Sequence, residues 1–234
     1  LTGLFRLFCT KSDQPWFYIL IGFLSGYPIG ASLLASLRNT QMRHDFYLGL
    51  TNNPSPAFIL TYVGRQVLSL GNSCYLFYLM IIVSVILGNL LGNLVLTPVY
   101  VNAPLGKCNQ APSSRAVDQI LWNSIQTILK IGGYVVFFSI LVVFLDIPLG
   151  NQSLLSAIIT SLTELTTGMA RLCIFPFSTT KIALAAGLVA FGGFCQVLQT
   201  QSVIAGSGLS IFNYIIRRFL CGIIAMILTF LFLF

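Results

Sequence analysis

The sequence predicts an all-α polytopic membrane protein built from two inverted repeats, each with a re-entrant helical hairpin and a broken helix. Three observations predict it. Of 234 residues, 56% are hydrophobic and only 7% charged, where a soluble domain carries roughly a quarter charged. Spanning a bilayer as helix takes ~20 apolar residues, and uncharged stretches of that order recur at Gln14–Leu37, Phe46–Gly64, Gln66–Gly106 and Ile182–Ile216. Finally, small and polar interruptions of the apolar segments come in the same order in both halves of the chain. The first two observations exclude a water-soluble globule, and the third is the mark of an internal repeat with a central binding site.

Charged and Pro/Gly/Asn punctuation divides the chain into seven apolar segments: 16–38, 45–66, 73–99, 119–146, 153–175, 181–204 and 209–234. In the first, SGYPIGA carries the break: Pro28 removes an amide donor and disfavours helix at Tyr27, while Gly26 and Gly30 allow close backbone approach. The reading is a hairpin tip whose amides and helix N-terminus bind an anion or polar group; the alternative is a kinked, tightly packed helix. In the second, TNNPSP places Asn52, Asn53 and Ser55 inside an otherwise uncharged segment, as a site element or as an ordinary N-cap. The third is a plain apolar helix from Cys74 to Leu96.

Residues 101–118 (VNAPLGKCNQAPSSRAVD) form the longest connection and divide the chain into a first repeat, 1–100, and a second, 119–234. In the fourth segment Lys130 interrupts, so an amphipathic stretch from Gln119 to Leu129 precedes the apolar run Gly132–Leu145. The fifth holds Glu164 in LTELTTGM, the only acid well inside an apolar segment, since Asp13, Asp45, Asp118 and Asp146 flank segment ends. An intramembrane ionisable group is a functional hypothesis by default. Glu164 is read as a ligand for Na⁺, a proton carrier or an orienter of substrate, with Thr163, Thr166 and Thr167 around it and Gly168 beside it. The alternative is a structural carboxylate that pairs with Arg171 or caps half of a hairpin. In the sixth, Gly192 and Gly193 permit unwinding or close packing, and Gln196 and Gln199 lie three apart on one helical face. They read a polar ligand or bond between helices. The seventh is again a plain apolar helix.

Broken, broken, plain therefore occurs twice, with Gly30 to Asn53 spanning 23 residues and Gly168 to Gly193 spanning 25. The second half has a leading plain helix that the first lacks, so a further helix is expected upstream of Leu1 in a longer form. Charge placement tests the hairpins. If 16–38 and 153–175 return to their own side, nine cations (Arg6, Lys11, Arg38, Arg43, Lys107, Arg115, Lys130, Arg217 and Arg218) share one face, against Arg65, Arg171 and Lys181 on the other. If both segments span, the split is five against seven. Nine against three follows the positive-inside rule, which predicts two hairpins, five spanning helices and a cytoplasmic 101–118 linker. Arg65, Arg171 and Lys181 either funnel an anion or snorkel singly at helix ends.

The inventory excludes other classes. The net charge of +7 is spread singly, with no basic run or aromatic-interleaved patch, so no nucleic acid is expected. Cys9, Cys74, Cys108, Cys173, Cys195 and Cys221 show no CxxC, so they read as small apolar filler rather than zinc or redox ligands. The single histidine, His44, sits between Arg43 and Asp45, read as a charged loop, and no P-loop, HExxH or GxGxxG pattern is present. No enzymatic activity, metal or cofactor is expected.

The run FLSGYPIGASLLASLR, then LTNNPSPAFIL, IGGYVVFFSILV, LTELTTGM and AFGGFCQVLQTQS, resembles the YlbJ-type sporulation integral membrane proteins, of the nucleoside-recognition Gate-domain group. The resemblance runs from about Leu4 to the C-terminus, and the pieces are specific in combination. It differs in a Cys–Gln pair after FGGF, where members of that group often have Ser, Val and His. The resemblance implies a bacterial multi-pass protein with two Gate repeats, distantly like concentrative nucleoside transporters. It also implies a role in endospore formation, moving dipicolinic acid across a forespore membrane. Carried over by position, the site comprises Gly26, Tyr27, Pro28 and Gly30 of the first tip, then Asn52, Asn53 and Ser55. From the second half it takes Glu164, Thr166, Thr167 and Gly168, then Gly192, Gly193, Gln196 and Gln199.

The function expected is thus a transporter or facilitator of a small organic anion, with dipicolinate leading, by alternating access at a midplane site. Hairpin-tip amides are expected to hold the carboxylates, because a fixed cation would oppose release, and Glu164 is assigned a proton or cation partner. A nucleoside or neutral-solute carrier, and a non-transporting membrane assembly subunit, are the alternatives. Expected partners are a small polar or anionic solute, Na⁺ or H⁺ as coupling ion, and lipid, with self-association left open.

Overall fold

The computed structural model describes residues 15–36, 43–97, 114–149 and 153–233; the upstream helix and residues 101–113 of the expected 101–118 linker lie outside them, whereas 114–118, expected as linker, already belong to the helix Ser114–Leu149. Among the described residues all regular structure is helical. Helix α1 (Pro15–Ser25) leads through a turn at 26–28 into α2 (Ile29–Ser36). Helix α3 (His44–Thr51) follows, then an extended break at 52–55, a wide π-helix (Phe58–Val67), one 3-10 turn (Gly71–Ser73) and α4 (Cys74–Val95). The second half runs α5 (Ser114–Leu149), α6 (Leu154–Thr163), α7 (Leu165–Leu172), α8 (Thr179–Phe191), α9 (Phe194–Ile204) and α10 (Ile211–Phe232). Hairpin, broken helix, long helix therefore occurs twice in the order of elements, and the second set is preceded by α5.

Both expected hairpins double back. Residues eight apart in a continuous helix are ~12 Å apart along its axis, yet a Cβ built on Gly30 stands 3.2 Å from the Cα of Gly22. The carbonyl of Thr51, the last residue of α3, is wedged against both glycines. In the second hairpin, a Cβ on Gly168 would collide with the backbone of Ser161. These glycines are there because two helical arms approach within the radius of a methyl group.

Local sequence sets the helix starts. Ser153, Ser178 and Ser210 each stand in extended backbone and accept from an amide three residues on, at 3.0, 3.2 and 3.3 Å, which satisfies one of the orphan donors of α6, α8 and α10. Gly192, at φ +96°, ends α8 in the left-handed conformation that favours glycine.

Four helical stretches among the described residues are long and apolar enough to cross a membrane: Gly71–Val95, Ser124–Leu145, Thr179–Ile204 and Ile211–Phe232. The fifth expected span, 45–66, is cut at 52–55 into two short helices. Helix α10 packs along α4 and α8. Small residues allow this: a Cβ on Gly88 would stand 2.6 Å from the Cys221 thiol, and one on Gly92 2.8 Å from the Arg217 guanidinium. Helix α5 is continuous through Lys130 and touches the rest through α6 and α9. Phe138 and Val142 are its buried strip, while Trp122, Ile128, Val136 and Phe144 are exposed.

Four charged groups depart from expectation. Arg217 and Arg218, assigned to a basic face at a helix end, have 0% exposure, so they leave the nine-against-three count on which the orientation rested. Asp45, placed at a segment end, and His44, placed in a loop, both lie buried in the first turn of α3. Arg217 explains Asp45: its Nη2 donates to Asp45 Oδ2 in a fully buried ion pair, and to Asn93 Oδ1 at 3.0 Å, while Nη1 donates to the Asn89 carbonyl at 2.8 Å. A hydrophobic environment keeps such charges only when they are paired and hydrogen-bonded.

Candidate functional site: the junction of four helix breaks

The four interruptions read from the sequence meet in space. At the first tip, Gly26 (φ +80°) packs on the second break, where a Cβ on it would stand 3.0 Å from the Ser55 amide. Ser55 in turn accepts from the amide of Phe58 at 3.2 Å, so it starts the next helix as well. Tyr27, following Gly26, lays its hydroxyl against Gly192. Gly193, with φ +86°, faces the end of α6, with the Ser161 and Leu162 carbonyls 3.0 and 3.2 Å from its Cβ position. From the π-helix, Tyr62 donates to the Thr166 carbonyl of the second tip at 3.0 Å. Both glycines of the pair 192–193 occupy backbone conformations that an L side chain rarely adopts.

A residue absent from the sequence-derived site ties three of the breaks together. Arg218 of α10 donates from Nη1 to Asn53 Oδ1 at 2.6 Å, from Nη2 to the Tyr27 hydroxyl, and from Nε to the Phe191 carbonyl at 3.2 Å. Its guanidinium carbon also lies 5.6 Å from the centre of the Tyr27 ring. The Phe191 carbonyl is the negative end of α8, a favourable place for a cation. Asn53 is oriented for this contact, since its amide nitrogen donates to the Leu50 carbonyl. Every partner of Arg218 is neutral, whereas Arg217 has a carboxylate partner in Asp45.

Asn52 faces the other way from Asn53. Its amide donates to Thr200 Oγ1 at 2.7 Å and to the Tyr214 hydroxyl at 2.9 Å, fixing the second break to α9 and α10. Its Oδ1 is buried without a hydrogen-bond donor.

Glu164 takes one of the roles its alternatives included. It ends α6 and starts α7, and its carboxylate accepts from the amides of Thr166 and Thr167 at 3.0 and 2.7 Å and from both threonine hydroxyls. This is an N-cap at its most saturated, held at 1% exposure. Arg171 donates to Ser156 Oγ at 3.1 Å.

Placement of the remaining residues is mixed. Pro28 and Gly30 are buried in the first tip and its second arm, Gly30 against Thr51. Gly168 serves hairpin closure. Gln196 Oε1 is buried near Gly193 without a donor, whereas Gln199 turns its amide to the Cys195 sulfur at 3.3 Å. The two glutamines therefore have different surroundings. Lys181 folds back to the Phe175 and Cys173 carbonyls at 2.8 and 3.4 Å, and Arg65 bonds Tyr75 at 3.2 Å. Cys74, Cys195 and Cys221 are buried, while Cys173 is exposed.

Arg218 left one signal in the sequence. An Arg–Arg pair stands inside a segment otherwise free of charge from 209 to 234, about 9 Å along the helix from its start at 1.5 Å per residue. Comparison with protein-family models, with curated proteins and with solved structures finds no match.

Proposed function

We propose that this chain is a multi-pass membrane carrier of a small organic anion, and that the anion binds where the helix breaks meet. The observation that carries the reading is Arg218, a fully buried guanidinium whose partners are all neutral. Arg218 is the eighth residue of the 22-residue α10, and ionisable groups inside a membrane-spanning segment are costly and mark substrate pathways. Arg218 makes three hydrogen bonds with a group that has five N–H donors. A carboxylate matches this fork in shape and charge.

A fixed cation need not trap its ligand here. When the anion leaves, the Tyr27 hydroxyl and the Asn53 amide oxygen take its place on the guanidinium, so release exchanges hydrogen bonds instead of stranding a charge. Binding works in reverse: a carboxylate that displaces Tyr27 frees the first hairpin tip from Gly192. Occupancy is thereby coupled to the position of a hairpin, which is the requirement of alternating access. This replaces the expectation that tip amides alone hold the substrate.

We further infer that the two hairpin, broken-helix and long-helix units are inverted repeats. Reciprocal packing supports this. The second arm of the first hairpin, α2, lies against the second half of the later broken helix, α9; the second arm of the second hairpin, α7, lies against the π-helix, the second half of the earlier one. Within this reading, the resemblance to YlbJ-type sporulation proteins favours dipicolinate as substrate, a planar dicarboxylate, and a bacterial forespore membrane as the location.

The test is flux into proteoliposomes containing the purified chain, with labelled dipicolinate and labelled uridine compared, with and without a proton or Na⁺ gradient. Dipicolinate uptake that Arg218→Gln abolishes supports the proposal. Uridine uptake insensitive to that change transfers the junction to neutral solutes, and flux of neither by folded protein removes the carrier reading in favour of an assembly subunit.

A further inference from the structure

We propose that the hollow between α8 and α10 is a binding site for one acyl chain of a membrane phospholipid. Its volume is about 440 Å³, and every residue lining it is apolar or glycine. The hollow follows from the way the two helices meet. They touch backbone to backbone at one place, where a Cβ on Gly222 would stand 2.9 Å from the Gly187 carbonyl oxygen and one on Gly187 3.1 Å from that of Gly222. Away from this crossing bulky side chains form the walls, among them Leu184 and Phe191 of α8 and Phe219 and Ile223 of α10. Leu162 of α6 and Phe194 of α9 complete the lining.

The dimensions select the occupant. Phe194, Phe219, Ile223 and Met226 at the rim are exposed, and they stand on stretches long and apolar enough to cross a membrane, Thr179–Ile204 and Ile211–Phe232. The hollow therefore faces hydrocarbon. Along α10 the lining runs from Ile215 to Met226, ~16 Å at 1.5 Å per residue, which is about half of a hydrocarbon core ~30 Å thick. That is the depth filled by the chains of one leaflet. Spread over this length, 440 Å³ is a section of about 27 Å², whereas a helix 10–12 Å across occupies roughly 80–110 Å². A single extended chain fits. A helix of a second copy does not, and a stable protein interface would need about 800 Å² on each partner.

The chemistry of the walls agrees with the dimensions. No hydrogen-bonding side chain lines the hollow, so water and polar ligands find no partners there. Transfer of a chain from bulk lipid gains no hydrophobic energy, since both surroundings are hydrocarbon; the gain is close packing against leucine and aromatic side chains. Phe191 and Phe194 flank the Gly192–Gly193 break, with their rings edge to face and centroids 5.8 Å apart. A chain packed on both rings braces that break from the lipid side, while the carbonyl of the same Phe191 holds Arg218. An effect of the chain on transport rests on the carrier reading, whereas its binding does not.

The experiment is titration of the purified full chain in detergent with two phosphatidylcholines, one with palmitoyl and oleoyl chains and one with two hexanoyl chains, read by native mass spectrometry and thermal unfolding. The headgroup is the same, so a difference between them belongs to the chain. The long-chain lipid is expected to add one tightly held molecule per protein and a saturable rise in Tm; the short-chain lipid, too short to fill the hollow, should do neither. Ile223→Trp fills the hollow from an exposed position and should weaken long-chain binding at least tenfold, with the lipid-free Tm at or above wild type. Met226→Trp is a second variant of the same kind, and Phe144→Trp, on the exposed face of α5, should leave binding unchanged. Equal responses to the two lipids, or unchanged binding in both filling variants, overturn the site. Lipid-free dimers that Ile223→Trp dissociates overturn it too, by assigning the hollow to a second copy. Chain-dependent binding without anion flux removes the carrier and leaves this site, whereas flux without chain-dependent binding does the reverse.

Discussion

Arg218 and Asn53, 165 residues apart in the chain, meet in a buried hydrogen bond of 2.6 Å that joins the last described helix to the earliest broken one. Through Tyr27 and the Phe191 carbonyl the same guanidinium holds the first hairpin tip and the end of α8. Removing Asn53 therefore strands one arm of a buried cation. Hydrogen bonds to charged groups are worth about 1.5–3 kcal/mol, so Asn53→Ala should destabilise by that order. Chemical unfolding in detergent reads it, and a loss below 0.5 kcal/mol, roughly the level of an ordinary surface change, would separate Asn53 from Arg218 energetically.

The Arg217–Asp45 pair makes a sharper prediction. Asp45→Asn leaves a buried cation without its counter-charge, a change that costs about 3–5 kcal/mol. Replacing both partners by apolar residues, in Asp45→Leu with Arg217→Met, removes the charge and the need for it together. That double variant should recover at least half of the loss in the same unfolding measurement.

Glycines separate into two sets by what a methyl group would meet. Gly168→Ala drives a Cβ into the Ser161 backbone, and Gly30→Ala into the Thr51 carbonyl; each should destabilise by more than about 2 kcal/mol, in the range of overpacked cores. Gly132 in α5 has nothing within 4 Å, so Gly132→Ala should stabilise by about 0.5–1 kcal/mol through helix propensity. Parallel thermal melts of the three variants suffice.

Glu164→Ala removes the acceptor of two amides and two hydroxyls, and the loss of an N-cap is worth about 0.5–2 kcal/mol. Glu164→Gln keeps an acceptor but no charge. In chemical unfolding in detergent it should therefore lose less stability than Glu164→Ala. A loss in Glu164→Gln as large as that in Glu164→Ala would show that the charge, and not the acceptor, holds the cap.

All four breaks fall where local residue types demanded them. Gly26 and Pro28, the Asn52–Pro56 run, Glu164 and the Gly192–Gly193 pair each announce themselves through backbone freedom, a missing amide or a capping side chain, and those are properties of a few adjacent residues. The cap at Glu164 was legible for the same reason, since Thr166 and Thr167 are its neighbours. Burial of Arg217 and Arg218 was not legible, because the side chains that make it tolerable lie 124–191 residues away and the Phe191 carbonyl 27. Read locally, two arginines near a helix end are indistinguishable from a snorkelling pair, and the positive-inside count absorbed them. The widening of Phe58–Val67 into a π-helix also has no local signature in its residues.

The paired arginines have a consequence for how the protein is made. Charged side chains within a spanning segment are costly, so two adjacent arginines make α10 a reluctant entrant to lipid on its own. Tyr27, Asp45, Asn53, Asn89, Asn93 and Phe191, which accept their hydrogen bonds, all precede them in the sequence. During synthesis the acceptors emerge from the ribosome before the charges that need them. Helix α10 thus integrates into a receptacle its own chain has already assembled, and a variant lacking Asp45 or Asn53 should betray itself first as a helix left outside the bilayer.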